Sequence, residues 1–209
     1  MAKLYLISDA ELDPEGMLAL YDAAMLEGTG AFQLRVKDQD DAAFLRLAEE
    51  FVERCRKAGV PFIVNDRPDV ALLVGAAGVH LGQRDLPVGR VRRLVGHGML
   101  VGRTVRNPTQ AGSAVQAGAS YVALGPCFAT PIKPDQRPVG IRILRQTVQT
   151  TDAPVCAIGG ITPVNLREVL DAGPAYVAIV SAISRSDTPL QVKNFLLETM
   201  KRDEKRQQR

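Results

Sequence analysis

The chain has 209 residues, of which 46% are hydrophobic and 23% charged, a composition typical of a globular domain. Its formal net charge of +3 equals that of the last nine residues alone, which hold five basic and two acidic side chains. The other residues are therefore neutral overall. This argues against nucleic acid as a partner, because binding to a phosphate backbone needs a concentrated basic field.

The apolar stretches, the first residues and the cysteine count predict the cellular compartment. No stretch reaches about 18 apolar residues, the length expected of a membrane span, and the first residues turn acidic too early for a signal peptide. The three cysteines are odd in number and lack CxxC spacing, and two histidines are few for a zinc site. We therefore expect a cytoplasmic protein with reduced thiols and no membrane partner.

Short apolar runs rich in β-branched residues alternate with helical patterns along the chain. The predicted strands are Leu4–Ser8, Ala31–Arg35, Phe62–Asn65, Gly78–His80, Leu100–Gly102, Tyr121–Leu124, Val155–Ile158 and Tyr176–Ile179. The predicted helices are Pro14–Glu27, Ala42–Ala58, Pro68–Val74, Val88–Val95, Pro108–Ala117, Arg142–Thr150, Thr162–Ala172 and Pro189–Lys201. Asp13, Asn107 and Thr162 each precede a proline, which is typical of a capped helix start.

The predicted strands are apolar throughout, so they are expected to be buried on both faces, as in a parallel sheet. Eight β–α units in about two hundred residues predict an α/β fold, a single-domain (β/α)8 TIM barrel. A doubly wound open sheet is the alternative, but the first strand is not followed by the expected GxGxxG turn. We expect the barrel to span residues 1–200 and a basic, flexible tail to follow at 201–209.

Polar residues gather where the strands end, which in such a barrel is one common mouth. Alternation along the second strand sends Gln33, Arg35 and Lys37 to the same side. A surface strand with salt bridges is the alternative, but it fits a buried parallel sheet poorly because unpaired buried cations are costly. The pattern therefore favours an anion-binding site.

Two carboxylates, Asp66 and Asp85, follow the third and fourth strands beside these cations. Carboxylates for a hard divalent ion and cations for phosphoryl oxygens are what a complex of Mg²⁺ and a diphosphate requires. Alternatively, Asp66 caps the next helix and Asp85 belongs to a turn. His80, between two apolar residues, is interpreted as a structural histidine.

The last three loops complete the predicted mouth. The loop after the sixth strand is long and carries Lys133, which is either a phosphate ligand or a solvated lysine. Gly159 and Gly160 follow the seventh strand and Ser181 the eighth, which is where such barrels bind a phosphate. Tight turns alone are the alternative. The sequence thus predicts two anion sites in one mouth, for a diphosphate with Mg²⁺ and for a monophosphate.

These motifs resemble the thiamine-phosphate synthase family, whose thiazole tautomerase branch shares the fold. The resemblance runs from Tyr5 to Ile183. Its specific pieces are Gln33-Leu34-Arg35-Val36-Lys37, Asn65-Asp66-Arg67-Pro68-Asp69, Gly78-Val79-His80-Leu81-Gly82-Gln83-Arg84-Asp85-Leu86-Pro87, Gly125-Pro126-Cys127-Phe128-Ala129-Thr130 with Lys133, and Ala157-Ile158-Gly159-Gly160-Ile161.

The resemblance implies that hydroxymethylpyrimidine diphosphate and hydroxyethylthiazole phosphate are joined to give thiamine phosphate and pyrophosphate. It implies Mg²⁺ as cofactor on Asp66 and Asp85, and Arg35, Lys37 and Lys133 as catalytic cations. The implied substrate-binding residues are Gln33, Leu34, Arg35, Val36, Lys37, Asn65, Thr104, Thr130, Ile132, Lys133, Gly160, Val180 and Ser181. Relatives commonly pair, so a homodimer is one expectation, although the sequence leaves the oligomeric state open.

Three positions depart from the family pattern. Thr104 and Arg106 stand where the family has Ser and His, and Ile132 stands where it has a second Thr. The missing histidine argues against the tautomerase, which would use it for proton transfer, and a tautomerase has no evident need for Asp66 and Asp85. A non-catalytic ligand-binding or regulatory homologue is the third alternative.

Overall fold

The structure, a computed structural model, describes residues 2–36, 39–132 and 134–207. Within these ranges eight parallel strands form a closed barrel in chain order, and the last strand pairs with the first. The strands are β1 (Lys3–Ile7), β2 (Ala31–Leu34), β3 (Phe62–Asn65), β4 (Gly78–Leu81), β5 (Leu100–Val105), β6 (Tyr121–Leu124), β7 (Val155–Ile158) and β8 (Tyr176–Ile179). The predicted (β/α)8 barrel is confirmed, and the open doubly wound sheet is wrong.

Helices follow the strands around the outside of the barrel. They are α1 (Pro14–Leu20), α2 (Ala23–Leu26), α3 (Asp41–Ala58), α4 (Pro68–Leu73), α5 (Val88–Val95), α6 (Pro108–Gln116), α7 (Ile141–Thr150), α8 (Leu166–Leu170), α9 (Ser181–Ser184) and α10 (Pro189–Gln207). None of the helices in these described ranges is long and apolar enough to cross a membrane.

Three helix predictions need correction. The single predicted helix after β1 is two helices, because the Asp22 side chain accepts a hydrogen bond from the Met25 amide and starts a new helix there. Thr162 does not cap α8, which begins four residues later, at Leu166. The last helix, predicted to end at Lys201, continues to Gln207, and Asp203 within it is buried and paired with Arg167.

The strands separate two apolar layers, as alternation along each strand requires. Outward-facing residues such as Leu6, Leu34 and Val122 pack against the helices in the larger core. Inward-facing residues, among them Tyr5 and Tyr121, fill the barrel itself.

Candidate active site

A large cavity opens at the carboxyl ends of the strands and contains both signs of charge. Its volume is about 590 Å³, within the usual range for small-molecule sites. The residues around it come from the ends of β2 to β5 and from the loop after β6: Arg35, Asn65, Asp66, His80, Gly82, Gln83, Arg84, Asp85, Thr104, Ile132, Pro134, Asp135 and Gln136.

Asp66 and Asp85 converge on one backbone amide in this cavity. The Gly82 N–H donates to Asp85 Oδ2 at 2.6 Å and lies 3.4 Å from Asp66 Oδ1. Burial, followed by the neighbouring Asp85 carboxyl, raises the pKa of Asp66 to about 6. Asp66 does not cap α4, since Arg67 occupies that position, whereas Asp85 does close a turn with Gly82 besides facing the cavity.

This carboxylate pair fits Mg²⁺ together with a phosphorylated ligand. Within the described residues no cluster of three or more histidine, cysteine or acidic side chains could hold a metal ion by itself. Mg²⁺, however, is commonly bound by one or two carboxylates, with phosphate oxygens and waters as its other ligands. Burial and the neighbouring Asp85 carboxyl both disfavour the charged form of Asp66, an effect that a bound cation would offset.

Arg35 is positioned through its backbone by Ser8 at the end of β1. The Arg35 N–H donates to Ser8 Oγ at 2.7 Å, and the Ser8 hydroxyl donates back to the Arg35 carbonyl at 2.8 Å. Within the described ranges no salt bridge includes Arg35, so its guanidinium is available to an anion in the cavity.

A second, smaller cavity adjoins the first at the ends of β7 and β8. Thr104, Ile132 and Gln136 line both. The predicted phosphate residues Thr130, Gly160, Val180 and Ser181 lie around the second cavity, together with Gly125, Pro126, Ile158, Gly159, Ile161 and Ala178. The mouth is thus divided into a charged half and a half lined by glycines and small side chains.

The loop after β7 owes its shape to close packing and to Asn165, which the sequence analysis missed. Gly160 has a φ of +65°, and a Cβ there would lie 2.3 Å from the Ala129 carbonyl oxygen. The Asn165 side chain donates to the Gly160 carbonyl at 2.8 Å and accepts from the Thr162 N–H at 2.9 Å. An Asn two residues after a proline in a tight loop is the only sequence signal for this role.

The loop after β8 is tied to the loop after β1. Ser184 donates to the buried Asp9 carboxylate at 2.6 Å, and Arg185 forms a 2.8 Å salt bridge with Glu11. These contacts join the two ends of the barrel sequence at the mouth, through the end of the short helix that begins at Ser181.

Not every predicted residue reaches the mouth. Leu34 is fully buried in the outer core and Val36 packs against that core, so neither side chain faces the two cavities. Gln33 points into the barrel beneath the mouth and donates to the Tyr5 hydroxyl. Lys37 and Lys133 lie outside the described residues.

Arg106, at the position of the family histidine, contacts the loop after β6. Its guanidinium donates to the Arg137 carbonyl and, at 3.4 Å, to the Gln136 side chain. Cys127 is buried and packs near the Leu124 carbonyl rather than lining either cavity.

Fold and site together define a class: a (β/α)8 barrel whose mouth places a carboxylate–arginine cavity beside a glycine-lined one. The sequence profile of the thiamine monophosphate synthase family matches residues 4–183, and the chain belongs to this family.

Individual relatives agree with this membership. The thiamine-phosphate synthase of Laribacter hongkongensis is 44% identical over 196 residues, covering 92% of both chains. That of a Synechocystis species is 40% identical over 199 residues, but the chain spans only 57% of its length. The solved thiamine phosphate pyrophosphorylase of Pyrococcus furiosus superposes with a TM-score of 0.88, at 32% identity over 96% of each chain.

Proposed function

We propose that this protein condenses hydroxymethylpyrimidine diphosphate with hydroxyethylthiazole phosphate, giving thiamine phosphate and pyrophosphate. The observation that carries the proposal is the pair of adjoining cavities that share Thr104, Ile132 and Gln136. A diphosphate held in the charged half and a monophosphate held beside Gly160 would bring two phosphorylated substrates to one junction. The relatives from Laribacter hongkongensis and Pyrococcus furiosus match this chain over almost the full length of both chains. Their names, thiamine-phosphate synthase and thiamine phosphate pyrophosphorylase, support the same reaction.

The charged half suits the diphosphate of the first substrate. Arg35 would bind its oxygens, aided by Asn65 and by the two lysines proposed from the sequence, Lys37 and Lys133. Asp66 and Asp85 would hold Mg²⁺, which when bound neutralises charge on a leaving pyrophosphate. Because pyrophosphate takes the bonding electrons as it leaves, fixed positive charge around it lowers the barrier to departure.

The second half would place the thiazole for capture of the pyrimidine. Thr130, Gly160, Val180 and Ser181 would hold its phosphate, with Ile132 against the ring. The pyrimidine cation left by departure of pyrophosphate is stabilised by its own amino group, and the thiazole nitrogen supplies the electron pair for the new bond. No general base is needed, so the protein's main contribution is orientation of the two substrates.

A coupled assay tests this proposal. The purified chain, mixed with both phosphates and Mg²⁺, should release thiamine phosphate and pyrophosphate in equal amounts, and EDTA should stop the reaction. Asp66→Ala should lower kcat/KM on the order of a hundredfold, since several kcal/mol of charge stabilisation would be lost. Asp152→Ala, an exposed carboxylate before β7, is the matched control and should retain full activity.

Two outcomes would contradict the proposal. Metal-independent aromatisation of a thiazole carboxylate phosphate, without synthesis of thiamine phosphate, would identify a tautomerase. No turnover in either assay, with phosphate ligands still raising the melting temperature, would identify a non-catalytic homologue. We also propose a cytoplasmic location, supported by the three cysteines, which are buried free thiols, and a homodimer, which sedimentation would test.

A further inference from the structure

A chain of hydrogen bonds runs through the barrel and ends at the mouth. Gln33 Nε2 donates to the Tyr5 hydroxyl at 2.9 Å, and the Tyr5 and Tyr121 hydroxyls are 2.9 Å apart. The Tyr121 hydroxyl lies 3.0 Å from His80 Nδ1, and His80 Nε2 lies 2.9 Å from the Thr104 hydroxyl. Five strands contribute one residue each, and the last, Thr104, lines both cavities.

The amide at one end favours one direction for the donors along the chain. An amide nitrogen only donates, so Tyr5 accepts from Gln33, and the Tyr121 hydroxyl is the acceptor within reach of the Tyr5 proton. In this direction Tyr121 donates to His80 Nδ1, and the ring, with its proton on Nε2, donates to the oxygen of Thr104. The Thr104 hydroxyl proton is thereby left for an acceptor in the mouth.

Burial protects this arrangement from reversal by water. Gln33, Tyr5, Tyr121 and His80 are all buried, and burial raises the pKa of both tyrosines, so both hydroxyls keep their protons. Gly102 makes room for the central link, since a Cβ there would lie 2.4 Å from the Tyr121 hydroxyl and 2.5 Å from His80 Nδ1.

We propose that Tyr121, His80 and Tyr5 are positioning residues that hold the Thr104 hydroxyl as a hydrogen-bond donor toward the substrate. Because Thr104 lies at the junction of the two cavities, where the reacting rings must meet, the acceptor is a ring nitrogen of the pyrimidine rather than a phosphate oxygen. This inference rests on the proposed function for the identity of the ligand.

The tautomer of His80 tests the chain without any substrate. The protein has two histidines, and the other, His97, is exposed, so the ¹⁵N spectrum of histidine-labelled protein contains two distinguishable rings. We expect His80 to be a single tautomer with its proton on Nε2. Tyr121→Phe should convert it to a mixture of tautomers, whereas Tyr176→Phe, which alters a tyrosine beside Tyr5 but outside the chain, should not.

Calorimetry tests the effect on the ligand independently of turnover. With Mg²⁺ present, Tyr121→Phe should raise the Kd for hydroxymethylpyrimidine diphosphate by about two- to tenfold, the effect of one misdirected hydrogen bond. Inorganic pyrophosphate, which lacks the ring, should bind the variant and the wild type equally. In a Thr104→Val background Tyr121→Phe should have no further effect, because its partner is already gone, and Thr104→Ser should retain binding.

Equal weakening for pyrophosphate and the pyrimidine diphosphate would overturn the proposal, since it would indicate general damage to the mouth. A His80 tautomer that Tyr121→Phe leaves unchanged would also overturn the proposal. The same is true if the effects of Tyr121→Phe and Thr104→Val on Kd are fully additive. If Tyr121→Phe does not fold, Tyr5→Phe removes the preceding hydrogen bond of the chain instead. The same changes in the His80 tautomer and in the Kd are expected. If the wild type makes no thiamine phosphate, the proposed function is wrong. The tautomer and binding measurements would still test the proposed role of the hydrogen-bond chain.

Discussion

Asp66 combines three features that each cost stability. Its φ of +61° is rare for a residue with a side chain, its carboxyl is partly buried, and it faces a second carboxyl on Asp85. Nothing in the packing of α4 or the barrel requires an acid here, since the helix start is at Arg67. Strain and repulsion held in one residue at the mouth are expected of a site built to receive a cation.

Asp66→Asn should therefore stabilise the protein. Asparagine tolerates the left-handed φ and removes a charge that burial and the Asp85 carboxyl disfavour, so we expect a gain of about 1 kcal/mol in unfolding free energy at pH 7, allowing for screening of this partly exposed group. Because the native pKa is raised from 3.8 to about 6, the gain should be full above pH 6 and lost as the pH falls to about 4. Urea unfolding of Asp66→Asn and the wild type at several pH values measures this gain in unfolding free energy.

Asp152→Asn is the control for this measurement, because that carboxyl is exposed. Its unfolding free energy should match the wild type across the same pH range. A pH-independent effect of Asp66→Asn would show that relief of backbone strain alone, and not removal of the buried charge beside Asp85, changes the stability.

At the scale of elements, the loop between β7 and α8 shows how neighbouring segments shape a binding surface. Gly160 is in contact with the backbone of the loop after β6, and Asn165 binds both sides of the turn. The loop therefore depends on Asn165, the residue before α8, for hydrogen bonds and on the loop after β6 for its space. Ala129 and Phe128 in the loop after β6 would have to shift to admit a side chain at residue 160.

Gly160→Ala should lower the unfolding free energy by about 1–3 kcal/mol and weaken binding of hydroxyethylthiazole phosphate. The added Cβ would be 2.3 Å from the Ala129 carbonyl oxygen in a backbone conformation that alanine avoids. Gly112→Ala is the matched control: it lies inside α6 with open space around it and should stabilise by about 0.5–1 kcal/mol. Thermal denaturation compares the stability of the two variants, and calorimetry compares their binding of hydroxyethylthiazole phosphate. Equal stability and equal binding would contradict a steric clash at residue 160.

At the scale of the whole molecule, closure of the barrel depends on contacts between distant parts of the chain. β8 pairs with β1 along four residues, Ser184 binds Asp9, and α10 packs across β1, α2, α8 and α9. Asp203 near the end of α10 has a side chain only 6% exposed and lies 3.1 Å from Arg167 on α8. The end of α10 is thus part of the packed fold.

Asp203→Ala should lower the unfolding free energy by about 1–2 kcal/mol, because it leaves Arg167 beside a buried surface without this partner. Glu198→Ala on the same helix removes an exposed contact with Arg202 and should cost no more than about 0.5 kcal/mol. Denaturant unfolding of both variants measures the difference. A neutral Asp203→Ala would support the sequence expectation of a solvated tail from residue 201.

The order of elements and most of their boundaries followed from local pattern. β3, β6, β7 and β8 have the predicted bounds, as does α5, because apolar runs and glycine or proline breaks are properties of neighbouring residues. The errors at α8 and α10 have different causes. Asn165 binds Thr162 and Gly160 in a local turn that takes the place of a helix start at Thr162, whereas Asp203 pairs with Arg167 on another helix, a contact that local sequence does not encode.

The convergence of Arg35, Asp66, Asp85 and Gly160 on one mouth was predictable from the sequence, since each follows a strand and parallel strands share an end. The hydrogen-bond chain was not, because Tyr5 and Tyr121 are 116 residues apart and read as ordinary core aromatics. Local residue order therefore determined the strands, helices and loop positions. Only closure of the barrel decided which inward side chains meet, because those pairings depend on register across eight strands rather than on neighbours along the chain.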